Sequence, residues 1–108
     1  MKKYLFIQSQ DPFASADLRE DAALAAQLKR NGHEAAFYLA QNAVLATRSA
    51  AQCPGLRDAI NTKVEVLADD FALRERGIDA AEMVDGVSAA PISLVVERLV
   101  QGWTTVWR

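Results

Sequence analysis

Between Tyr4 and Ala40 two strand-like apolar runs flank a single helical pattern, and that alternation leaves few folds open. Tyr4-Leu5-Phe6-Ile7 is a continuous run of strand-forming residues, as expected of a strand covered on both faces. Leu18, Ala22, Ala25 and Leu28 then recur at helical spacing with charges between them. Ser15 or Asp17 is placed to cap this helix, and Asn31-Gly32 stops it after Lys29 and Arg30. Ala35 to Ala40 reads as a second strand. Strand, helix and strand at this spacing predict a right-handed βαβ unit with parallel strands.

The remainder repeats the alternation. Asn42-Ala43-Val44-Leu45-Ala46 predicts a helix capped by Asn42, Cys53-Pro54-Gly55 a loop, and Leu56 to Ile60 a further helical turn or two. Val64 to Leu67 is a third strand that ends in Asp69-Asp70. A short helix from about Phe71 stops at Gly77, and Asp79 caps another over Ala80 to Val84. Pro91 is placed as the first residue of a helix reaching Gln101. Gly102 closes that helix, and Trp103 to Trp107 forms the last strand. Four strands alternating with helices predict one domain over residues 1–108: a small three-layer open α/β sandwich with a mainly parallel sheet, flavodoxin-like in outline.

Composition narrows the function classes. A net charge of −2 and scattered Lys and Arg give no electrostatic case for nucleic acid or an anionic membrane. The single cysteine, Cys53, cannot form an internal disulfide. The apolar run after Lys2-Lys3 stops at Gln8, too early for a signal peptide, and no stretch approaches the ~20 apolar residues of a membrane span. A cytoplasmic location is therefore expected. The first helix is poor in bulk, with Ala22, Ala23, Ala25 and Ala26, which permits close approach of a sheet or another subunit. Trp103 and Trp107 fall on the same face of the last strand, where they suit either a subunit interface or packing under a helix.

The order of pieces resembles the DsrE/DsrF-like (DsrE/TusD/YchN-type) sulfur-relay family. The carriers are Lys3-Tyr4-Leu5-Phe6-Ile7, Gly32-His33-Glu34, Gln41-Asn42-Ala43-Val44-Leu45-Ala46, Val64-Glu65-Val66-Leu67 leading to Arg76-Gly77-Ile78, and Val84-Asp85-Gly86-Val87. The resemblance implies a homo-oligomer, trimeric or hexameric, and a sulfur-relay protein partner. It also implies a persulfide-bearing cysteine after the third strand. That cysteine aligns with Asp69, and the second cysteine of some members aligns with Ala72. Neither side chain holds a persulfide. The reading is thus a DsrE-like protein lacking the sulfur-carrier cysteine, acting as a non-catalytic binding or accessory protein linked to intracellular sulfur metabolism.

The residues themselves leave alternatives. Ligands of open α/β sheets bind outside the carboxyl ends of the strands. That places the Gln8–Ser15 loop, with Ser9 and Asp11, and Asp69 to Ala72 as candidate groove residues. Asp69 and Asp70 either serve a ligand or cap the helix that follows, and capping is the favoured reading. Cys53 is the alternative sulfur carrier. Asp69, Asp70 and Asp11 together could serve a small-ligand enzyme. His33 reads as a turn residue. A receiver-type phosphoacceptor site is excluded, since it needs an acidic pair after the first strand and a lysine after the last. Nothing calls for a cofactor or a metal.

Overall fold

The computed structural model describes every residue except Gln52 and Pro54. Its frame is a five-stranded sheet in the order β4-β3-β2-β1-β5, built from β1 (Lys3–Gln8), β2 (Glu34–Leu39), β3 (Glu65–Asp69), β4 (Val87–Ala90) and β5 (Thr104–Trp107). All four pairings are parallel. The helices are α1 (Asp17–Arg30), α2 (Leu56–Asn61), α3 (Asp70–Glu75) and α4 (Ser93–Val100).

The period-2 alternation of side chains along each strand divides the core in two. Phe6, Phe37, Leu39, Val66 and Ala68 pack with Leu18, Ala22 and Ala25 of α1 and Leu56 and Ala59 of α2. On the opposite face Leu5, Ile7, Ala36, Tyr38 and Leu67 pack with Val95 of α4, flanked by Leu94 and Trp103. The alanines of α1 serve the first of these layers: Ala22, Ala25 and Ala26 are fully buried.

Several boundaries differ from the sequence reading. The sheet has five strands rather than four; the addition is Val-Ser-Ala-Ala at the β4 edge, whose half-exposed small residues carry no apolar run. Gln41–Thr47 winds as a 3₁₀ helix instead of an α-helix, entered through Gln41 at φ 51°. Its cap position is Ala40, while Asn42 turns its side-chain carbonyl to the Arg76 guanidinium at 2.8 Å. At α1 the cap position is Ala16, and the Ser15 hydroxyl instead accepts the Asp17 N–H at 3.1 Å, tying a turn just before the helix. Ala80–Glu82 is a single 3₁₀ turn closed by a reciprocal Asp79–Glu82 capping box. Pro91 lies two residues ahead of α4, with its carbonyl accepting the Leu94 N–H at 3.0 Å in a tighter first turn. The expected loop at Cys53-Pro54-Gly55 falls partly on Pro54, outside the described residues.

Candidate functional site

The strand order reverses between β1 and β5, so the crevice at their carboxyl ends is the topological switch point. Arg108 follows β5 there. Its N–H donates to the Ile7 carbonyl at 2.8 Å, and its own carbonyl accepts from both the Ser9 N–H and the Ser9 hydroxyl. Ser9 therefore ties the two strands together. Behind it, the Gln8 side-chain amide donates to Asp21 at 2.6 Å, and the Arg108 guanidinium reaches the same carboxylate at 3.2 Å. Gln8 and Asp21 are buried, and Gln8 Oε1 has no hydrogen-bond partner among the described residues. The sequence signal for this cluster is an acid on the apolar stripe of α1, at Asp21 between Leu18 and Ala25; the groove reading takes in Gln8 as the start of its loop but neither Asp21 nor Arg108.

Asp11 acts locally. Its carboxylate accepts the Phe13 N–H at 2.8 Å, the self-contained turn that aspartate favours. The segment 12–16 then lines a cavity of about 290 Å³ together with Arg19 and Cys53. A neighbouring cavity of about 350 Å³ is lined by Ala46, Ser49, Cys53, Gly55, Leu56, Arg57 and Val84. Cys53 thus borders both, close to the β1–α1 loop rather than remote from it. Burial pushes the Cys53 thiol above its ordinary range, which disfavours the thiolate.

Asp69 closes β3 and opens α3. Its carboxylate accepts the Phe71 N–H at 3.3 Å, the capping role favoured from sequence. It also lies beside Tyr38, whose hydroxyl donates to the Ala90 carbonyl at 3.0 Å. Burial first, and then the negative charge of Asp69, push the Tyr38 hydroxyl far above its ordinary value. Ala72 is buried in the main core. Asp70 forms an exposed i,i+4 pair with Arg74 at 3.8 Å and lines a separate cavity of about 240 Å³ with Leu73, Ile78 and Met83. The edge is thus divided: Asp70 borders one hollow, and the β1–α1 loop shares another with Cys53. Among the described residues no group of three or more His, Cys, Asp or Glu side chains could hold a metal ion.

His33 lies at the opposite, amino edge. Its Nδ1 accepts the Lys2 N–H at 3.1 Å, and its ring meets Tyr4 edge-on at 5.9 Å. Trp103 and Trp107 do share a face: Trp103 is half-buried under the Arg98 guanidinium at 4.6 Å, whereas Trp107 is exposed. Among the described residues no helix is long and apolar enough to cross a membrane.

No protein-family model matches the sequence, and neither does any curated protein. Solved structures do match. The chain is similar to the YchN protein of Escherichia coli, with a TM-score of 0.88 and 19% identity over 100% of both chains. It is also similar to MTH1491, a protein of unknown function from Methanobacterium thermoautotrophicum, with a TM-score of 0.77 and 18% identity over 100% of both chains. A third likeness is to BT1422, a conserved protein of unknown function from Bacteroides thetaiotaomicron, with a TM-score of 0.74 and 16% identity over 98% of this chain and 95% of that one. Superposition over the full length of both chains shows that the chain has a DsrE/TusD/YchN-type fold.

Proposed function

We propose that this protein is a non-catalytic, homo-oligomeric binding or accessory protein, linked to intracellular sulfur metabolism through the family it resembles. The observation that carries the reading is the engagement of Asp69. At the position where the resemblance aligns a sulfur-bearing cysteine, the chain has a carboxylate that caps α3 and abuts Tyr38. A side chain used in this way supports the fold and offers no thiol to carry sulfur. Ala72, where a second cysteine would align, is enclosed in the core. Incubation with a low-molecular-weight persulfide donor, followed by mass spectrometry of the intact chain, tests the proposal. The expected spectrum is that of the unmodified chain; stable addition of sulfur at Cys53 counts against it.

A second reading makes Cys53 a sulfur carrier in place of the missing thiol. It is favoured by the shared border of Cys53 on two cavities, one with Arg57 and the other with Arg19. A persulfide there would have two cations on the lining of its surroundings. The raised thiol pKa weighs against rapid loading at neutral pH. Sulfur addition in the native chain that disappears in Cys53→Ser would establish it.

A further inference from the structure

We propose that the two hollows bordered by Cys53 form a binding site for a compact molecule with an apolar body and an oxyanion group, held by Arg19 and Arg57. The inference names a ligand class for the binding role proposed above and rests on that reading.

The distribution of ion pairs singles out this part of the surface. Of the eight arginines in the chain, Arg30, Arg74, Arg76, Arg98 and Arg108 each meet a carboxylate at 2.8 to 3.8 Å. Among the described residues the other three, Arg19, Arg48 and Arg57, form no ion pair, although acids outnumber Lys and Arg in the chain by 14 to 12. These three gather in one place. Arg19 lines the hollow of about 290 Å³, Arg57 the one of about 350 Å³, and Arg48 directly precedes Ser49 in the wall of the latter. Asp58, next to Arg57, is held by Arg30 at 3.0 Å. Among the described residues no carboxylate lines either hollow. Burial keeps the Cys53 thiol protonated at neutral pH, so the shared border adds no negative charge. A guanidinium without a carboxylate offers the paired donors that match a carboxylate or phosphate.

Position and lining agree with that charge. Each hollow is walled by chain that has left the carboxyl end of a strand: residues 12–16 after β1, and Ala46 and Ser49 after β2. Open α/β sheets take their ligands on that side. The two hollows also adjoin. Gly55 lines the larger one, and a Cβ there would lie 3.4 Å from the Arg19 carbonyl. Leu56 and Val84 supply apolar surface to the larger hollow, and Phe13, 59% exposed, supplies it to the smaller. A cavity of roughly 150 Å³ already holds benzene, so either hollow has room for a ring.

Isothermal titration calorimetry on the full chain tests the proposal, with phenyl phosphate, benzoate and phenol as probes. At least one of the two anions is expected to bind, less tightly as salt is raised, and phenol at least tenfold more weakly. The stronger anion identifies the preferred head group. Arg19→Gln and Arg57→Gln are each expected to lower that affinity fivefold or more, while Arg74→Gln, which borders neither hollow, leaves it unchanged. Far-ultraviolet dichroism checks folding, and Arg57→Gln decides the matter if Arg19→Gln does not fold. No binding of either anion at millimolar concentration, equal binding of phenol, or unchanged affinity in a folded Arg57→Gln overturns the site. With Cys53 unmodified by the persulfide donor, such a result leaves the accessory reading standing. Sulfur addition at Cys53 counts against that reading whatever the calorimetry gives.

Discussion

The Arg108 guanidinium stands 3.2 Å from the Asp21 carboxylate, joining the residue after the last strand to the middle of the first helix. The pair is unequal, since the Asp21 side chain is 3% exposed and that of Arg108 45%. Removing the cation therefore strands a buried charge, whereas removing the acid frees a residue that water can reach. Arg108→Met is expected to lower the unfolding free energy by about 2 kcal/mol, and Asp21→Asn by less. Urea denaturation of both single variants and the double variant measures the coupling; equal losses in the two singles would contradict it.

At Lys63 a side chain occupies a position that glycine usually fills. α2 ends with the Val64 N–H on the Ala59 carbonyl and the Lys63 N–H on the Ile60 carbonyl, with Lys63 at φ 74°. The same pair of bonds closes α1 around Gly32, α3 around Gly77 and α4 around Gly102. Lys63→Gly is expected to raise stability by about 1 kcal/mol, because a Cβ in this left-handed conformation is strained. Thermal melting of Lys63→Gly beside Lys63→Ala separates relief of strain from loss of the amine.

Gly86 is the opposite case, a glycine that admits no replacement. Its φ is +100°, and an added Cβ would meet Ile60 Cγ2 at 2.5 Å. Gly86→Ala should cost about 2 kcal/mol or more, since backbone strain and a steric clash act together. A midpoint in urea unchanged from wild type would refute the close approach of Gly86 to Ile60.

The Tyr38 hydroxyl gives the fold an alkaline limit. Its pKa is raised in the folded chain, so the folded state holds this proton more tightly than the unfolded state does. The associated stability is complete below the ordinary tyrosine value of about 10 and declines as pH rises beyond it. Wild type is expected to lose thermal stability above that pH more steeply than Tyr38→Phe. Melting curves across the alkaline range check the difference in slope.

How far the sequence revealed this molecule varies with the physics of each element. β1, α1 and β2 were legible because long apolar runs, helical spacing and a glycine stop all agree. β4 was not, since an edge strand of serine and alanines draws its order from pairing with β3 rather than from its own side chains. The 3₁₀ winding of Gln41–Thr47 was hidden for a similar reason. Ala43 with Ala46 and Val44 with Thr47 are buried pairs three residues apart, which suit a tighter turn as well as an α-helix. The dual role of Asp69 was half visible: the cap follows from its place before Phe71, but its neighbour Tyr38 comes from another strand. Proximity of Cys53 to the β1–α1 loop required the tertiary path of the chain, which no local pattern encodes.

The placement of β5 beside β1 has a consequence for biosynthesis. Tyr4 aligns with Thr104 and Ile7 with Trp107, so one side of an interior strand is completed by residues made about a hundred positions later. Until those residues leave the ribosome, β1 presents open backbone donors and acceptors along that side. A nascent chain can form the β1–β2 pair early, but it remains a sheet with an unpaired apolar border until synthesis reaches Trp107. The species that carries this open border is therefore any nascent chain in which β1 and β2 have paired but β5 has not yet been made.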